Sequence, residues 1–285
     1  MSVTVYTPQS MPELFADLER LTPRSKLISG GTDLIIRLQQ GTCKPDALLY
    51  PGNIPGIGDI TETADSLEIG AMVTMTALAN SELMSGYTAA IKHAAADVGA
   101  VQIRNSATIG GNLGNASPAG DLMPVWCLLK AEAVIAGPGG ALRQSPVAEV
   151  FLGPGKISLS YNEIIVRFVI PKAPTRTVRS AFVKLGYRKA LTISRIGLAA
   201  LLDTDESGRV TQFELLAGAI SPTPVRVEQA ARYLPGRQLS SGDGAVIGKC
   251  LSELILEITP EMFDRDYKAA AAFGVAEDLF AKLTE

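Results

Sequence analysis

The sequence predicts an α+β protein in which two α/β subdomains are followed by a smaller C-terminal α+β domain. Short apolar segments alternate with helical patterns as far as about residue 172, which is typical of α/β subdomains. After the segment "KAPTRTVRS", which contains one proline and three basic residues and directly follows Pro171, two apolar runs joined by a turn precede three helical segments. We therefore expect domains at 1–172, with subdomains of about 1–54 and 55–172, and at 176–285.

The N-terminal third begins with a helix signal. Ser10 and Glu13 have the spacing of a capping box, and Leu14, Leu18 and Leu21 follow at helical intervals. Next come a short strand "KLI", a turn "SGGTD", a helix "LIIRLQQ" with Gly41 after its end, and a buried strand "ALLY".

The middle of the chain continues the alternation. It predicts a strand and turn in "SLEIGAMVTM", helices in "TALANSELM" and "TAAIKHAAADVG", a helix and a strand in "LMPVWCLLKAEAVIAG", and a strand in "EIIVRFVIP". The C-terminal part predicts two strands joined at a turn over Asp205 to Gly208, and then helices in "VRVEQAARYL", "GAVIGKCLSELI" and "RDYKAAAAFGVAEDLFAKL".

Composition excludes several classes of function. A net charge of −3 leaves no basic footprint for nucleic acid. Three scattered cysteines without a CxxC pair, and a single histidine, argue against an iron–sulfur, zinc or multi-histidine site in this chain. No stretch resembles a signal peptide or approaches the ~20 apolar residues of a membrane span. These features indicate a cytoplasmic protein without nucleic-acid or membrane partners.

Two glycine-rich turns stand out in the first domain, "ISGGTDL" at 28–34 and "ATIGGNLGN" at 107–115. A Gly-Gly pair lets successive backbone N–H groups point into one concavity, which suits a phosphate or diphosphate. A plain turn is the alternative for each pair, and an N-cap is the alternative for Asp33. Neither turn matches the Rossmann or P-loop pattern. With the carboxylate of Asp121, the two turns suit a ligand that carries a diphosphate and a ribose.

Three other features have a structural and a chemical interpretation. His93 is interpreted as a helix histidine, since no nucleophile motif lies near it in the sequence, and Cys127 as a core residue. The acidic cluster 203–206 is interpreted as a solvated turn in preference to a metal site. We assign no catalytic residue and no metal ligand to the chain.

The motifs "LISGGTDLI", "SATIGGNLGNASPAGDLMPV", "NEIIVRFVIP" and "AFVKLGYRKALTISRIGLA" together resemble the FAD-binding medium subunit of molybdenum hydroxylases, the xanthine dehydrogenase and carbon monoxide dehydrogenase flavoprotein family. The resemblance covers nearly the whole chain in the same order. It implies an FAD-binding fold of the PCMH type, like that of vanillyl-alcohol oxidase, followed by a C-terminal domain like that of the CO dehydrogenase flavoprotein.

The same resemblance implies a set of FAD-binding residues. One segment wraps the diphosphate, a second binds it from the opposite side, Asp121 holds the ribose, and Ile165 and Lys184 lie near the flavin ring. The set comprises Leu27, Ile28, Ser29, Gly30, Gly31, Thr32, Asp33, Leu34, Thr108, Ile109, Gly110, Gly111, Asn112, Asp121, Ile165 and Lys184. At Lys184 the match between this sequence and the family motif is displaced by one residue.

Family members work with two partner subunits. A large subunit carries molybdopterin, and a small subunit carries two two-iron, two-sulfur clusters that deliver electrons to FAD. The resemblance thus implies FAD in this chain, an acceptor such as NAD+, and a dimer of heterotrimers. It is slightly greater for the xanthine dehydrogenase branch. The scattered cysteines argue against the 4-hydroxybenzoyl-CoA reductase branch, which has an inserted cysteine-rich loop.

Two alternatives remain open at this point. A stand-alone FAD oxidase of the same fold usually adds a substrate cap domain, whereas the C-terminal domain here has only about 110 residues, which is near the small end for a domain. A non-catalytic assembly protein that has lost FAD conflicts with the presence of both glycine-rich turns.

Overall fold

The computed structural model describes residues 3–173, 175, 177–188 and 191–284. Seven residues that the predictions above include lie outside this range. They are Met1, Ser2, Arg176 and Glu285 in the predicted domains, Pro174 in the quoted boundary segment, and Lys189 and Ala190 of the quoted C-terminal motif.

Helices and strands occur throughout the described part of the chain. The strands are β1 Thr4–Tyr6, β2 Lys26–Leu27, β3 Ala47–Leu49, β4 Ile60–Glu62, β5 Ser66–Gly70, β6 Glu132–Ala136, β7 Leu142–Pro146, β8 Phe151–Gly153, β9 Lys156–Ile157, β10 Ile164–Pro171, β11 Arg179–Leu185, β12 Ile196–Thr204, β13 Val210–Gly218 and β14 Val225–Arg226. The helices are α1 Met11–Arg20, α2 Leu34–Gln39, α3 Met75–Asn80, α4 Ala89–Asp97, α5 Val101–Arg104, α6 Ile109–Asn115, α7 Leu122–Leu128, α8 Val147–Val150, α9 Glu228–Tyr233, α10 Asp243–Ile258 and α11 Arg265–Thr284.

The chain forms two compact units that do not follow the sequence order. The first contains the described residues up to Ala77, together with Val101–Ser117 and Lys130–Lys172. The second contains Leu78–Ala100, Pro118–Leu129 and the described residues from Ala173 onward. Segments that bear α4 and α7 thus belong to the second unit although they precede residue 172. The sequence-based domain boundaries stay a prediction.

The first unit contains three sheets, the smallest of which is the antiparallel pair β8-β9. A three-stranded parallel sheet has the order β1-β3-β2, and a five-stranded antiparallel sheet has the order β4-β5-β10-β6-β7. Helix α1 buries Leu14 and Leu18 completely, against Leu49 and Ile54 among others. Ser10 caps the helix as predicted, because the Glu13 N–H donates to Ser10 Oγ at 3.4 Å, but Glu13 Oε2 accepts from the Gln9 N–H at 2.8 Å in place of the Ser10 N–H, so the reciprocal bond of a capping box is not formed. The predicted first helix is confirmed.

The second unit is a four-stranded antiparallel sheet, β11-β12-β13-β14, covered by helices. Its core packs apolar residues of β12 and β13 against α10 and α11, with Phe213, Leu251 and Leu279 buried. The segments from earlier in the chain join the same sheet, because α4 packs on β11 and α7 packs on β12 and β13. The C-terminal α+β layout predicted from the sequence is therefore present.

Most predicted elements agree with the structure, but the sequence analysis missed the seven-residue strand β11 as well as several short strands. The predicted turn at Asp205 is confirmed: its carboxylate accepts from the N–H groups of Ser207 and Arg209, and Gly208 has a φ of +78°. The predicted helix "VRVEQAARYL" is wrong at its start, since Val225 and Arg226 pair with β13 and the helix begins at Glu228. No helix in the described part of the chain combines the length and apolar character of a bilayer-spanning segment.

Candidate functional site

The loop from Ser29 to Leu34 leads from β2 into α2 in the first unit. The Ile28 N–H still donates to Leu49 O, at 2.9 Å, and the Ile35 N–H donates to Gly31 O, at 3.0 Å. Between them lie six consecutive N–H groups, from Ser29 to Leu34, and none of the described residues accepts a hydrogen bond from them. Only Asp33 in this loop is exposed, and the other five residues are half-buried. Such a row of free donors suits an anionic ligand with several oxygens.

Two glycines give this loop its shape. Gly31 has a φ of +70°, which a residue with a Cβ adopts only at a cost. A Cβ on Gly30 would lie 1.9 Å from Ser106 O, so the backbone of the loop packs directly on the segment that precedes the second glycine-rich turn. Asp33 stands at the N-cap position of α2, but its side chain makes no capping hydrogen bond. The capping role considered for Asp33 is therefore wrong.

The second glycine-rich turn forms the start of α6. Thr108 is the N-cap, and its Oγ1 accepts a hydrogen bond from the Gly111 N–H at 3.1 Å. The N–H groups of Ile109 and Gly110 donate to Val73 O and Ala71 O, at 3.1 and 2.9 Å. The expectation that successive N–H groups of this turn point free into a concavity is wrong for Ile109 to Asn112, because acceptors within the protein already receive hydrogen bonds from all four.

The two turns nevertheless lie side by side. A Cβ on Gly111 would lie 3.6 Å from both Cβ and Oγ of Ser29, so the missing side chain keeps the surface between the turns open. Asn112 Oδ1 is buried, and no hydrogen-bond donor among the described residues reaches it. A buried carbonyl oxygen without a partner is costly unless a ligand or water satisfies it. The free N–H groups and the open contact fit the diphosphate of a ligand such as FAD, whereas the Asn112 oxygen needs a donor, such as a hydroxyl group of the same ligand.

Ile165 lies on β10 in the same unit. It is 5% exposed and pairs with Ile135 of β6, just before a bulge in the register. Helix α6 packs against β10. The strand that contains Ile165 therefore contacts the helix that contains Gly110 to Asn112.

Asp121 and Lys184 lie together in the second unit. Asp121 occupies the N-cap position of α7 without capping it, and its Oδ2 accepts a hydrogen bond from Lys184 Nζ at 2.7 Å. Its Oδ1 accepts a hydrogen bond from Ser194 Oγ. Lys184 Nζ also donates to Asp97 O at 2.9 Å. The side chains of Asp121 and Lys184 are 6% and 8% exposed.

Opposing influences act on the Asp121 carboxyl. Burial raises the pKa of Asp121, while the positive charge and hydrogen bond of Lys184 and the hydrogen bond from Ser194 act in the opposite direction. Ser194 had no sequence signal, since a lone serine in "LTISRI" matches no motif. The contact between Asp121 and Lys184 was also not predicted. The ribose role of Asp121 and the flavin role of Lys184 stay predictions.

His93 and Cys127 have structural surroundings. His93 Nδ1 accepts a hydrogen bond from the Phe182 N–H at 3.4 Å, and burial together with Lys282 and Lys92 lowers the pKa of His93 to about 4. Burial raises the pKa of the Cys127 thiol to about 11, so the thiolate is disfavoured. Both side chains have the environment expected of structural residues. No cluster of metal-ligating side chains occurs within the described ranges.

Comparison with known proteins places these features in a family. Residues 1–173 match the model of the FAD binding domain in molybdopterin dehydrogenase, and residues 181–281 match that of the CO dehydrogenase flavoprotein C-terminal domain. The chain is 35% identical over 217 residues to the xanthine dehydrogenase FAD-binding subunit of Escherichia coli O157:H7, a match that covers 75% of this chain and 74% of that protein. It is 30% identical over 262 residues to the nicotinate dehydrogenase FAD-subunit of Eubacterium barkeri, covering 91% and 88%.

Solved structures show the same architecture. Carbon monoxide dehydrogenase from Hydrogenophaga pseudoflava superimposes with a TM-score of 0.86 at 25% identity, covering 100% of this chain and 98% of that chain. Quinoline 2-oxidoreductase from Pseudomonas putida 86 superimposes with a TM-score of 0.87 at 22% identity, covering 99% and 97%, and this match concerns the fold alone.

Proposed function

Since the chain belongs to the family of FAD-binding domains in molybdopterin dehydrogenases, we propose that it is the FAD-binding subunit of a multi-subunit molybdenum hydroxylase. In this role it accepts electrons from an iron–sulfur subunit and passes them to an external acceptor such as NAD+. The chain is an oxidoreductase subunit, and its redox chemistry is supplied by FAD when that cofactor is bound.

The observation that carries the proposal is the row of free N–H groups from Ser29 to Leu34. A diphosphate presents several anionic oxygens along a short length, and it is the part of FAD that such a row would bind. Buried or half-buried donors without a partner cost free energy in the unliganded chain, which a bound anion would recover. Thr108 to Asn112 would lie against the same group at the neighbouring turn, where Gly111 permits a close approach.

The other site residues have supporting roles in this proposal. Leu27, Ile28 and Ile165 provide apolar surface, Asp121 holds the ribose, and Lys184 lies near the flavin ring. None of them needs to move a proton in a chemical step. The work of the chain is to bind the cofactor, orient it and limit the access of water to it.

The partners follow from similarity to relatives that are named as subunits. We propose a large molybdopterin-binding subunit and a small subunit with two two-iron, two-sulfur clusters, assembled as a dimer of heterotrimers in the cytoplasm. The hydroxylated substrate would bind to the large subunit. The relatives with 35% and 30% identity are named for xanthine and nicotinate. Both are nitrogen heterocycles, so we propose that class of substrate and a xanthine dehydrogenase-like complex.

Purification of the chain with and without its partners tests this function. We expect a yellow chain that releases about one FAD on denaturation and oxidises no donor until the two partner subunits are added. Oxidation of an alcohol or amine by the isolated chain would support a stand-alone oxidase instead. A colourless chain that does not take up added FAD would contradict both functions.

A further inference from the structure

Strand β2 of the parallel sheet leads into the row of free N–H groups but is itself very short. It has two residues, Lys26 and Leu27, and lies at the edge of the sheet beside β3. A strand with so few ladder hydrogen bonds fixes its own register only weakly. A further contact that fixes β2 would therefore also fix the point at which the Ser29–Leu34 loop begins.

The side chain of Asp46 provides such a contact. Asp46 directly precedes β3, its Oδ1 accepts a hydrogen bond from Ser25 Oγ at 2.9 Å, and its Oδ2 accepts one from Thr22 Oγ1 at 2.6 Å. Ser25 in turn directly precedes β2. The carboxylate thus joins the starts of two paired, parallel strands. A shift of β2 along β3 by one residue, about 3.3 Å, would break both hydrogen bonds.

The turn that Asp46 holds, Thr22–Ser25, is closed by its own hydrogen bonds. The Ser25 N–H donates to Thr22 O at 2.9 Å, and the Thr22 N–H donates to Ser25 Oγ at 3.0 Å. Thr22 Oγ1 also accepts a hydrogen bond from the Arg24 N–H at 3.1 Å. Each hydroxyl therefore donates to the carboxylate and accepts from the main chain, so the loss of either hydroxyl leaves two partners without it.

Charge strengthens the contact between Asp46 and this turn. The hydrogen bond from Thr22, with that from Ser25 and the charge of Arg24, lowers the pKa of Asp46 against the opposing effect of burial, so the carboxylate is ionised at neutral pH. Hydrogen bonds to an ionised acceptor are roughly twice as strong as neutral ones. Ser25 is 5% exposed, which limits competition from water for its hydroxyl. The main chain adds a connection to β1, because Asp46 O accepts from the Thr4 N–H at 3.1 Å.

The row of free N–H groups begins only four positions after Ser25. Strand β2 continues directly into this row, because the Ile28 N–H still donates to Leu49 O, at 2.9 Å, and the next residue is Ser29. A register shift of β2 would displace the row by about 3.3 Å, which is more than the length of a hydrogen bond. The displaced donors would no longer meet a ligand that also lies against the second glycine-rich turn.

We propose that Asp46 is a positioning residue that fixes the register of β2 through Thr22 and Ser25 and so places the Ser29–Leu34 N–H groups for the FAD diphosphate. The identity of the ligand rests on the proposed function. Asp46 acts through the strand, since it lies beside the start of β2 whereas the loop follows the end of β2.

Amide hydrogen exchange of Ile28, followed by NMR in the FAD-free chain, tests the contact itself. Thr22→Val and Ser25→Ala each remove one of the two hydroxyls. We expect Ile28 to exchange about tenfold faster in both variants, because each loses a hydrogen bond to a charged group and β2 then opens more readily. Thr22→Ser keeps the hydroxyl and should restore the wild-type exchange rate.

Isothermal titration of the same proteins with FAD tests the consequence for the site. We expect a roughly tenfold weaker Kd for Thr22→Val and for Ser25→Ala, because part of the unliganded population no longer presents the N–H groups in place. Thr22→Ser should bind FAD with the wild-type Kd. Rescue by the hydroxyl separates a positioning role from a general effect of substitution at residue 22.

Thr63→Val is the matched control. Thr63 lies in the turn between β4 and β5 of the same unit, where its Oγ1 accepts from the Ser66 N–H at 3.0 Å and donates to Ser66 O at 3.1 Å. The substitution removes comparable hydrogen bonds of a turn that does not lead into the loop. We expect the wild-type exchange rate of Ile28 and the wild-type Kd for FAD.

Three results would count against these roles. Equal exchange of Ile28 in wild type and Thr22→Val, or equal acceleration in Thr63→Val, would overturn the positioning role of Asp46. Faster exchange with an unchanged Kd for FAD would overturn its link to the ligand. A wild-type chain without affinity for FAD would contradict the proposed function, whereas the exchange rates would still support or overturn the contact that fixes β2.

Discussion

Individual backbone groups determine what the first unit can bind. The N–H groups of Ser29 to Leu34 lack acceptors among the described residues, whereas those of Ile109 to Asn112 are all engaged within the protein. The two glycine-rich turns therefore differ in chemistry although they look alike in sequence. The first offers donors, and the second offers a close approach at Gly111 and the buried oxygen of Asn112.

The single histidine, His93, makes the free energy of unfolding of the chain depend on pH. Its pKa is about 4 in the folded chain, against an ordinary value of 6.5. Between these values the unfolded chain binds a proton that the folded chain does not, so this residue lowers the free energy of unfolding as pH falls from 6.5 towards 4.

The substitution His93→Asn tests this dependence, because asparagine offers an acceptor near the position of Nδ1 and does not titrate. We expect the melting temperature of wild type to fall more steeply than that of the variant between pH 6.5 and pH 5. Carboxylates contribute equally to both proteins and cancel in the difference. Parallel melting curves across this window would show that His93 is protonated equally in both states.

Among the elements, the contact between α10 and α11 depends on a glycine. A Cβ on Gly248 would lie 2.7 Å from the Cα of Phe273, a backbone atom that cannot move alone. We expect Gly248→Ala to destabilise the chain by about 1–3 kcal/mol, the usual cost of overpacking. Urea unfolding followed by circular dichroism measures the change.

Gly274→Ala in α11 is the control for that substitution. A Cβ there meets no atom within 4 Å, so the higher helix propensity of alanine should stabilise the chain by up to about 1 kcal/mol. A stabilised Gly248→Ala variant would mean that the two helices are further apart than described.

Elements with strong local signals could be predicted from the sequence. The Ser10 cap of α1 and the Asp205 turn use side chains close in sequence, and both occur as expected. The edge strands β1, β4 and β7 were missed, because they are short and largely exposed and show no clear alternation. The hydrogen bond from the Gly110 N–H to Ala71 O could not be predicted, since it depends on the pairing of segments that are distant in the chain.

For the whole molecule, the fold family and the cofactor class could be predicted, because they depend on sequence motifs that are all present in this chain. The composition of the two units could not. Helices α4 and α7 pack on the sheet of the second unit although the C-terminal domain was expected to begin near residue 176. Ser194 was missed for the same reason, since only folding brings it to Asp121.

The affinity for FAD in two glycine variants of α6 tests whether the cofactor binds between the two glycine-rich turns. Valine at position 111 would project towards Ser29, whereas valine at position 114 would meet no atom of the described chain within 4 Å of its Cβ. The helix propensity change is the same in both. Isothermal titration of the FAD-free chain should give at least about a tenfold weaker Kd for Gly111→Val and a wild-type Kd for Gly114→Val. Equal FAD affinity in Gly111→Val and wild type would contradict the placement of the cofactor between the two glycine-rich turns.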